Sequence, residues 1–167
     1  MNRVAGRFWW QTIGGVLAVA LVGWGTVNVT TLLAHGHERE VHRYAAADVQ
    51  RLVVDSASGR ISVTAAEVDT VTVTADISTS IGRTTHSQSL RDGTLELHAG
   101  CPWYSTWCSV DYTVVAPASV ALDLDSGNGR ILVQGTDAPV TLYSGNGHVV
   151  LTDVGGPVSA STGTGWL

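Results

Sequence analysis

The sequence predicts an all-β ectodomain, β-solenoid-like stacked short strands with glycine turns, preceded by one N-terminal transmembrane helix. Three observations lead there. No residue between Arg7 and Glu38 carries a full charge. From Arg51 onward Val, Ile, Leu and Thr alternate with polar residues at period two, the signal of half-buried strands. A Ser-Gly-Asn-Gly tetrapeptide returns at a constant spacing of eighteen residues, Ser126 to Ser144, as expected where each coil buries its apolar face only by stacking on the next. At 167 residues the chain has room for one small domain beside a membrane segment, which excludes a multidomain enzyme.

The first element is the apolar run, Ile13 to Val29 at its heart. As a helix, Phe8 to Ala34 would extend about 40 Å at 1.5 Å per residue, more than the roughly 30 Å of bilayer hydrocarbon. Trp9 and Trp10 suit the headgroup layer, and Arg3 and Arg7 direct that end to the cytoplasm. Residues 1–8 are thus expected as a cytoplasmic N-terminus, 9–33 as a single-pass anchor in the cell membrane, and the remainder outside. A cleaved secretory signal, with Ala34-His35-Gly36 as its site, is the rival reading; the run exceeds the roughly 7–15 residues of a signal core, which favours a retained anchor. Residues 34–50, with His35, His37, His42, Glu38 and Glu40, read as a solvated juxtamembrane stalk in which Ala45–Ala47 could continue a short helix. Metal is not expected there, because structural zinc wants four ligands in fixed geometry.

Residues 51–117 read as a β layer with a cysteine-loop insert. Its strands are Leu52–Val54, Ile61–Thr64, Val71–Ala75 and Leu95–Leu97, punctuated by Ser58-Gly59 and Asp92-Gly93. Residues 118–167 read as the eighteen-residue coils: Val120–Leu124, Ile131–Val133, Val140–Leu142, Val149–Leu151 and Val158–Ala160 alternate, and Thr162-Gly163-Thr164-Gly165 repeats the tetrapeptide once more. Gly127, Asn128, Gly129, Gly145, Asn146, Gly147, Gly163 and Gly165 are expected as repeat turns, since Asn-Gly accepts the positive φ of tight turns. The echo Ser56-Ala57-Ser58-Gly59-Arg60-Ile61 suggests that the earlier layer uses the same turn. The last coil is expected to expose a strand edge, as in a truncated or unusually short array.

Composition removes several chemistries. All nine basic residues are Arg and none is Lys, so neither a P-loop nor a Schiff base, pyridoxal phosphate included, can operate. Beyond residue 35 seven Arg face fourteen acidic residues, which disfavours nucleic acid as a partner. The glycine pairs lack the third glycine and the following helix of a dinucleotide site. The run from Asp123 to Asn128 has Gly and Asn exchanged relative to a calcium loop. No cofactor and no metal is expected. His86, His98 and His148 assemble no nucleophile motif, so no catalytic residue is assigned. Asp123 and Asp125 alternate with Leu122 and Leu124 and should face solvent.

Cys101 and Cys108 flank six residues, which is not the redox C-x-x-C spacing; in an oxidising compartment a disulfide is the plain expectation. Between them lie Trp103, Tyr104 and Trp107. The favoured reading folds one or both indoles back over the disulfide; the alternative makes the three aromatics a contact tip for sugars or lipid headgroups.

The anchor, the insert ending in Cys108-Ser109-Val110-Asp111-Tyr112-Thr113-Val114-Val115-Ala116-Pro117, and the Ser-Gly-Asn-Gly turns leading into Ile or Val together resemble the DUF4097 "putative adhesin" family of bacterial envelope proteins over roughly residues 50–167. The resemblance implies a β-solenoid-like fold and non-catalytic, extracytoplasmic work. Binding of a cell-wall or other envelope component is the first expectation. A structural or regulatory (stress-response) role through a membrane protein is the second, and a secreted hydrolase is the remote third.

Overall fold

The computed structural model describes residues 36–79, 84–103 and 108–166. The expected anchor, 9–33, lies outside the described residues, and among those described no helix is long and apolar enough to cross a membrane. Eleven strands follow in order: β1 Gly36–Ala45, β2 Arg51–Ser58, β3 Ile61–Ala65, β4 Thr70–Thr79, β5 Thr85–Arg91, β6 Thr94–Gly100, β7 Cys108–Ala116, β8 Ala121–Asn128, β9 Ile131–Gln134, β10 Val140–Thr152 and β11 Val158–Trp166. The only helical element among the described residues is a 3-10 turn at Ala46–Asp48. The all-β expectation is met.

Spatial order runs β1-β4-β7-β3-β9-β10-β8-β2-β6-β5, with β11 added on β10. The chain travels along one wall, bends, and continues along a second wall. β2 then β3, and β8 then β9, make this passage in two strands, and β10 makes it in one, its first half against β8 and its second against β9. β6 and β7 make the same passage, parallel to β2 and β3 respectively. The eighteen-residue spacing in the sequence is therefore a pairing register: Leu122 lies beside Val140 and Val140 beside Val158, while Ile131 lies beside Val149. β2 joins the same stack, with Leu52 beside Leu122 and Ser56 beside Ser126. The layer of residues 51–117 and the coils of 118–167 are thus one continuous sheet.

Period-two alternation carries the core. Leu52, Val54, Leu95, Leu97, Leu122, Leu124, Val140 and Leu142 from one wall meet Ile61, Val63, Val71, Val73, Val110, Tyr112, Val114, Ile131 and Val133 from the other, all buried. Asp123 and Asp125 fall on the opposite face of β8, half-exposed and exposed, as the alternation requires.

The segment expected as a stalk is corrected. Gly36–Ala45 is a full strand, paired antiparallel with β4 through ten residue pairs from Gly36↔Thr79 to Ala45↔Thr70. Its charged outer side chains hide the strand from a hydropathy pattern, and the backbone ladder of β4 supplies what the side chains do not. At the other end of the order, β5 and β6 form a hairpin across Asp92-Gly93, where both residues take positive φ (48° and 75°), as a two-residue type I′ turn demands.

Candidate functional site

Three features meet where the chain bends between the walls or where the sheet ends. The first is the cysteine loop. Cys101 and Cys108 form the expected disulfide, and the loop it closes joins β6 to β7 at the same bend where the later passages carry Ser-Gly-Asn-Gly. Trp103 is 95% exposed, so this indole does not fold back over the sheet as the sequence favoured. Tyr104 and Trp107 lie outside the described residues.

The second feature is a column of small residues at that bend. The expectation of positive-φ turns at the repeat glycines is corrected: among the described residues the glycines with positive φ are Gly59, Gly93 and Gly135. Gly127 lies within β8, Gly145 and Gly147 within β10, and Gly163 and Gly165 within β11. These positions need glycine because backbones crowd. A Cβ on Gly129 would lie 1.8 Å from the Gly59 carbonyl oxygen, on Gly147 1.7 Å from that of Gly129, and on Gly165 1.8 Å from that of Gly147. Gly127, Gly145 and Gly163 repeat the pattern against Ala57, Gly127 and Gly145, at 2.6–2.7 Å.

Beside the glycines run two polar columns. Asn146 donates from Nδ2 to Asn128 Oδ1 at 3.0 Å, and Thr164 Oγ1 donates to Asn146 Oδ1, an amide ladder of the kind that ties stacked in-register strands. On the core side, Ser126 and Ser144 are fully buried, and their hydroxyls, with that of Thr162, have no hydrogen-bond partner among the described residues. These hydroxyls add to the crowding at the glycines: a Cβ on Gly147 would stand 2.9 Å from Ser144 Oγ, and one on Gly165 2.9 Å from Thr162 Oγ1.

The third feature closes the curled sheet. β1 and β5 end the strand order, yet their side chains meet: Tyr44 donates to Gln88 Oε1 at 2.9 Å, and His86 Nδ1 lies 3.3 Å from Glu40 Oε2. Gln88 Nε2 and His86 Nε2 are 3.2 Å apart, and His42 Nε2 lies 3.5 Å from the same Glu40 oxygen. Beneath them the His86 ring sits 5.8 Å from that of Tyr112, which is fully buried with its hydroxyl unpartnered among the described residues. Burial, with the negative charges of Asp55 and Glu40 adding to it, pushes the Tyr112 phenol above its usual range. Sequence reading weighed His86 beside His98 and His148 and missed this cluster, because Glu40 and Tyr44 on β1 lie over forty residues from His86 and Gln88.

Chemistry elsewhere is sparse. His98 Nδ1 contacts Asp55 at 3.0 Å on the exposed face, and Ser78 Oγ lies 2.9 Å from His37 Nδ1 on the solvent face of the β1–β4 pair. Arg39 Nε donates to Asp76 at 2.6 Å on the solvent face of the β1–β4 pair, where water screens the attraction and leaves it little weight in stability. Among the described residues no group of three His, Cys, Asp or Glu is placed to hold a metal ion. Glu67, Asp69 and Asp137 border an open cavity of about 650 Å³ with Val68, Pro117 and Gly135.

No protein-family model matches the sequence, and no curated protein matches it. Among solved structures, the chain is similar to a "putative cell adhesion protein" from Clostridium sporogenes at 6% identity and a TM-score of 0.41, covering 79% of this chain and 100% of that one. It is also similar to a "putative adhesin" from Parabacteroides distasonis, at 10% identity and a TM-score of 0.33, covering 77% of this chain and 66% of that one. A "putative lipid binding protein" from the same organism aligns at 11% identity and a TM-score of 0.36, over 75% of this chain and 63% of that one.

Proposed function

We propose that this protein is a non-catalytic, membrane-anchored envelope-binding module of the DUF4097 type, a β-solenoid-like stack held outside the cytoplasm by residues 9–33. The observation that carries the reading is Trp103: an indole 95% exposed, on a disulfide-closed loop at a bend of the stack. A large aromatic kept in water costs free energy that burial in a ligand interface would recover, and a stapled loop loses little entropy when it engages. The disulfide fits an oxidising compartment. The parallel stack supports the solenoid-like description, because successive passages repeat one register and one glycine contact.

The experiment is co-sedimentation of the detergent-solubilised full chain with isolated bacterial cell walls and, separately, of the chain with liposomes. Saturable binding to one surface, weakened by Trp103→Ala at unchanged circular dichroism, is the expected outcome. Absence of binding to both by the folded chain overturns the proposal.

A further inference from the structure

β1 begins beside the loop that carries Trp103. Gly36, the first described residue, pairs with Thr79, and Thr79 pairs with Cys108. Two strand spacings, about 10 Å, thus lie between Gly36 and the disulfide that closes the loop. Gly36 stands three residues beyond residue 33, and that much chain reaches at most about 11 Å. If 9–33 is the anchor, the correction of the stalk to a strand leaves no spacer to lift this edge of the sheet from the headgroups.

The charges on that edge have a sign. Close to the bend one row crosses the wall in register: Arg39, Asp76, Asp111, Arg60, Arg130 and His148. Both acids of the row are engaged, Asp76 by Arg39 and Asp111 by the Arg60 backbone N–H and Ser109 Oγ. Arg60 and Arg130 are exposed and form no ion pair among the described residues. Glu38 on β1 is the acid nearest Gly36. Other acids gather away from this edge: Asp55, Asp123 and Asp125 on the outer face of the other wall, and Glu67, Asp69 and Asp137 around the open cavity past the far ends of β3, β7 and β9. An anionic lipid surface attracts the first edge and repels the other two places, and the attracted edge is the one with the exposed indole.

We propose that this edge docks on the phospholipid headgroups of the membrane that residues 9–33 cross, with Trp103 in the interfacial layer and Arg60 and Arg130 on lipid phosphates. Docking of this kind rests on the anchored reading above and names lipid, rather than wall polymer, as the partner of the Trp103 loop. Indole suits that layer because its ring is apolar and its N–H needs a wet partner. Guanidinium forks match phosphate oxygens. A tethered surface is met at high effective concentration, so contacts that are weak one by one suffice.

The test uses the full chain in nanodiscs of equal parts phosphatidylcholine and phosphatidylglycerol, with a nitroxide on a fraction of the headgroups, and reads the loss of amide signals by NMR. Expected is selective loss between Cys101 and Cys108 and at Ile61 and Ile131, beside the two arginines, while the Asp92-Gly93 turn and Asp137 keep full intensity. Combining Trp103→Ala, Arg60→Gln and Arg130→Gln, at unchanged circular dichroism, is expected to restore the lost signals. Loss at Asp92-Gly93 or Asp137 instead, no loss beyond Gly36, or a loss that the triple variant leaves unchanged overturns the proposal. Wall co-sedimentation that depends on Trp103, with no signal loss in nanodiscs, overturns lipid docking and keeps the envelope-binding reading. A chain that does not enter nanodiscs has no anchor, and both readings fall.

Discussion

The Cβ of an alanine at Gly147 would stand 1.7 Å from the carbonyl oxygen of Gly129, about half an ordinary van der Waals separation. One strand must move for any side chain to exist there, although Gly147 sits in an ordinary extended strand without positive φ. Gly147→Ala is expected to destabilise the fold by about 3 kcal/mol. Gly100→Ala, whose Cβ would meet Thr85 and His98 at 3.7 and 3.9 Å, is expected to change stability by less than about 1 kcal/mol. Urea titration of both variants checks the contrast; equal effects would remove the close-approach explanation.

The buried hydroxyl of Ser144 has no partner among the described residues. Desolvating it without a hydrogen bond opposes folding, so Ser144→Ala is expected to be neutral or to stabilise by up to about 1 kcal/mol. A loss of stability on denaturant titration would reveal a hydrogen bond in solution.

The Cys101–Cys108 disulfide closes a loop with a sequence separation of 7. Chain entropy assigns so short a loop about 2.5 kcal/mol. Replacing both cysteines by serine should lower the unfolding free energy by about that amount relative to the oxidised protein, and should match the wild type in reductant. A loop whose loss also abolished the β signal in circular dichroism would be part of the core rather than an appended tip.

Asp125 sits next to Asp55 across the β2–β8 pair. Partial burial first, then the charges of Asp55 and Asp123, raise its pKa above the usual carboxylate range. A raised folded pKa favours the folded state below the unfolded value, near 3.9, and that advantage is lost as pH rises through the folded pKa. Asp125→Asn should therefore raise stability at pH 7 by about 0.5 kcal/mol or less and give no gain near pH 3. Thermal melts across that range decide it.

Tyr112 carries the same linkage at alkaline pH. Its phenol is held protonated by burial above all, whereas in the unfolded chain it ionises near pH 10. Stability is retained below that value and declines as pH climbs above it. Tyr112→Phe should leave stability near neutrality within about 1 kcal/mol, since the buried hydroxyl lacks a partner among the described residues, and should move the alkaline unfolding midpoint upward.

Local periodicity was enough to read strands at Leu52–Val54, Ile61–Thr64, Val71–Ala75, Leu95–Leu97 and in the coils from Val120 to Ala160, because alternation of side chains across a pleated strand is a property of neighbouring residues; β5 and β7 were not read as strands, and β10 is one strand where two were expected. The eighteen-residue spacing became the register Leu122↔Val140↔Val158, since stacking equal passages leaves no other way to keep one face apolar. The cysteine pairing was legible because the chain holds two cysteines, seven positions apart and outside the redox spacing. Tertiary structure alone decided the rest. The repeat glycines answer to the carbonyls of the neighbouring strand rather than to their own φ, and such crowding leaves no mark within a single segment. β1 is a strand because β4 offers it a ladder, not because its charged sequence asks for one. His86 meets Glu40, and Tyr44 meets Gln88, only because the sheet curls until its two ends touch.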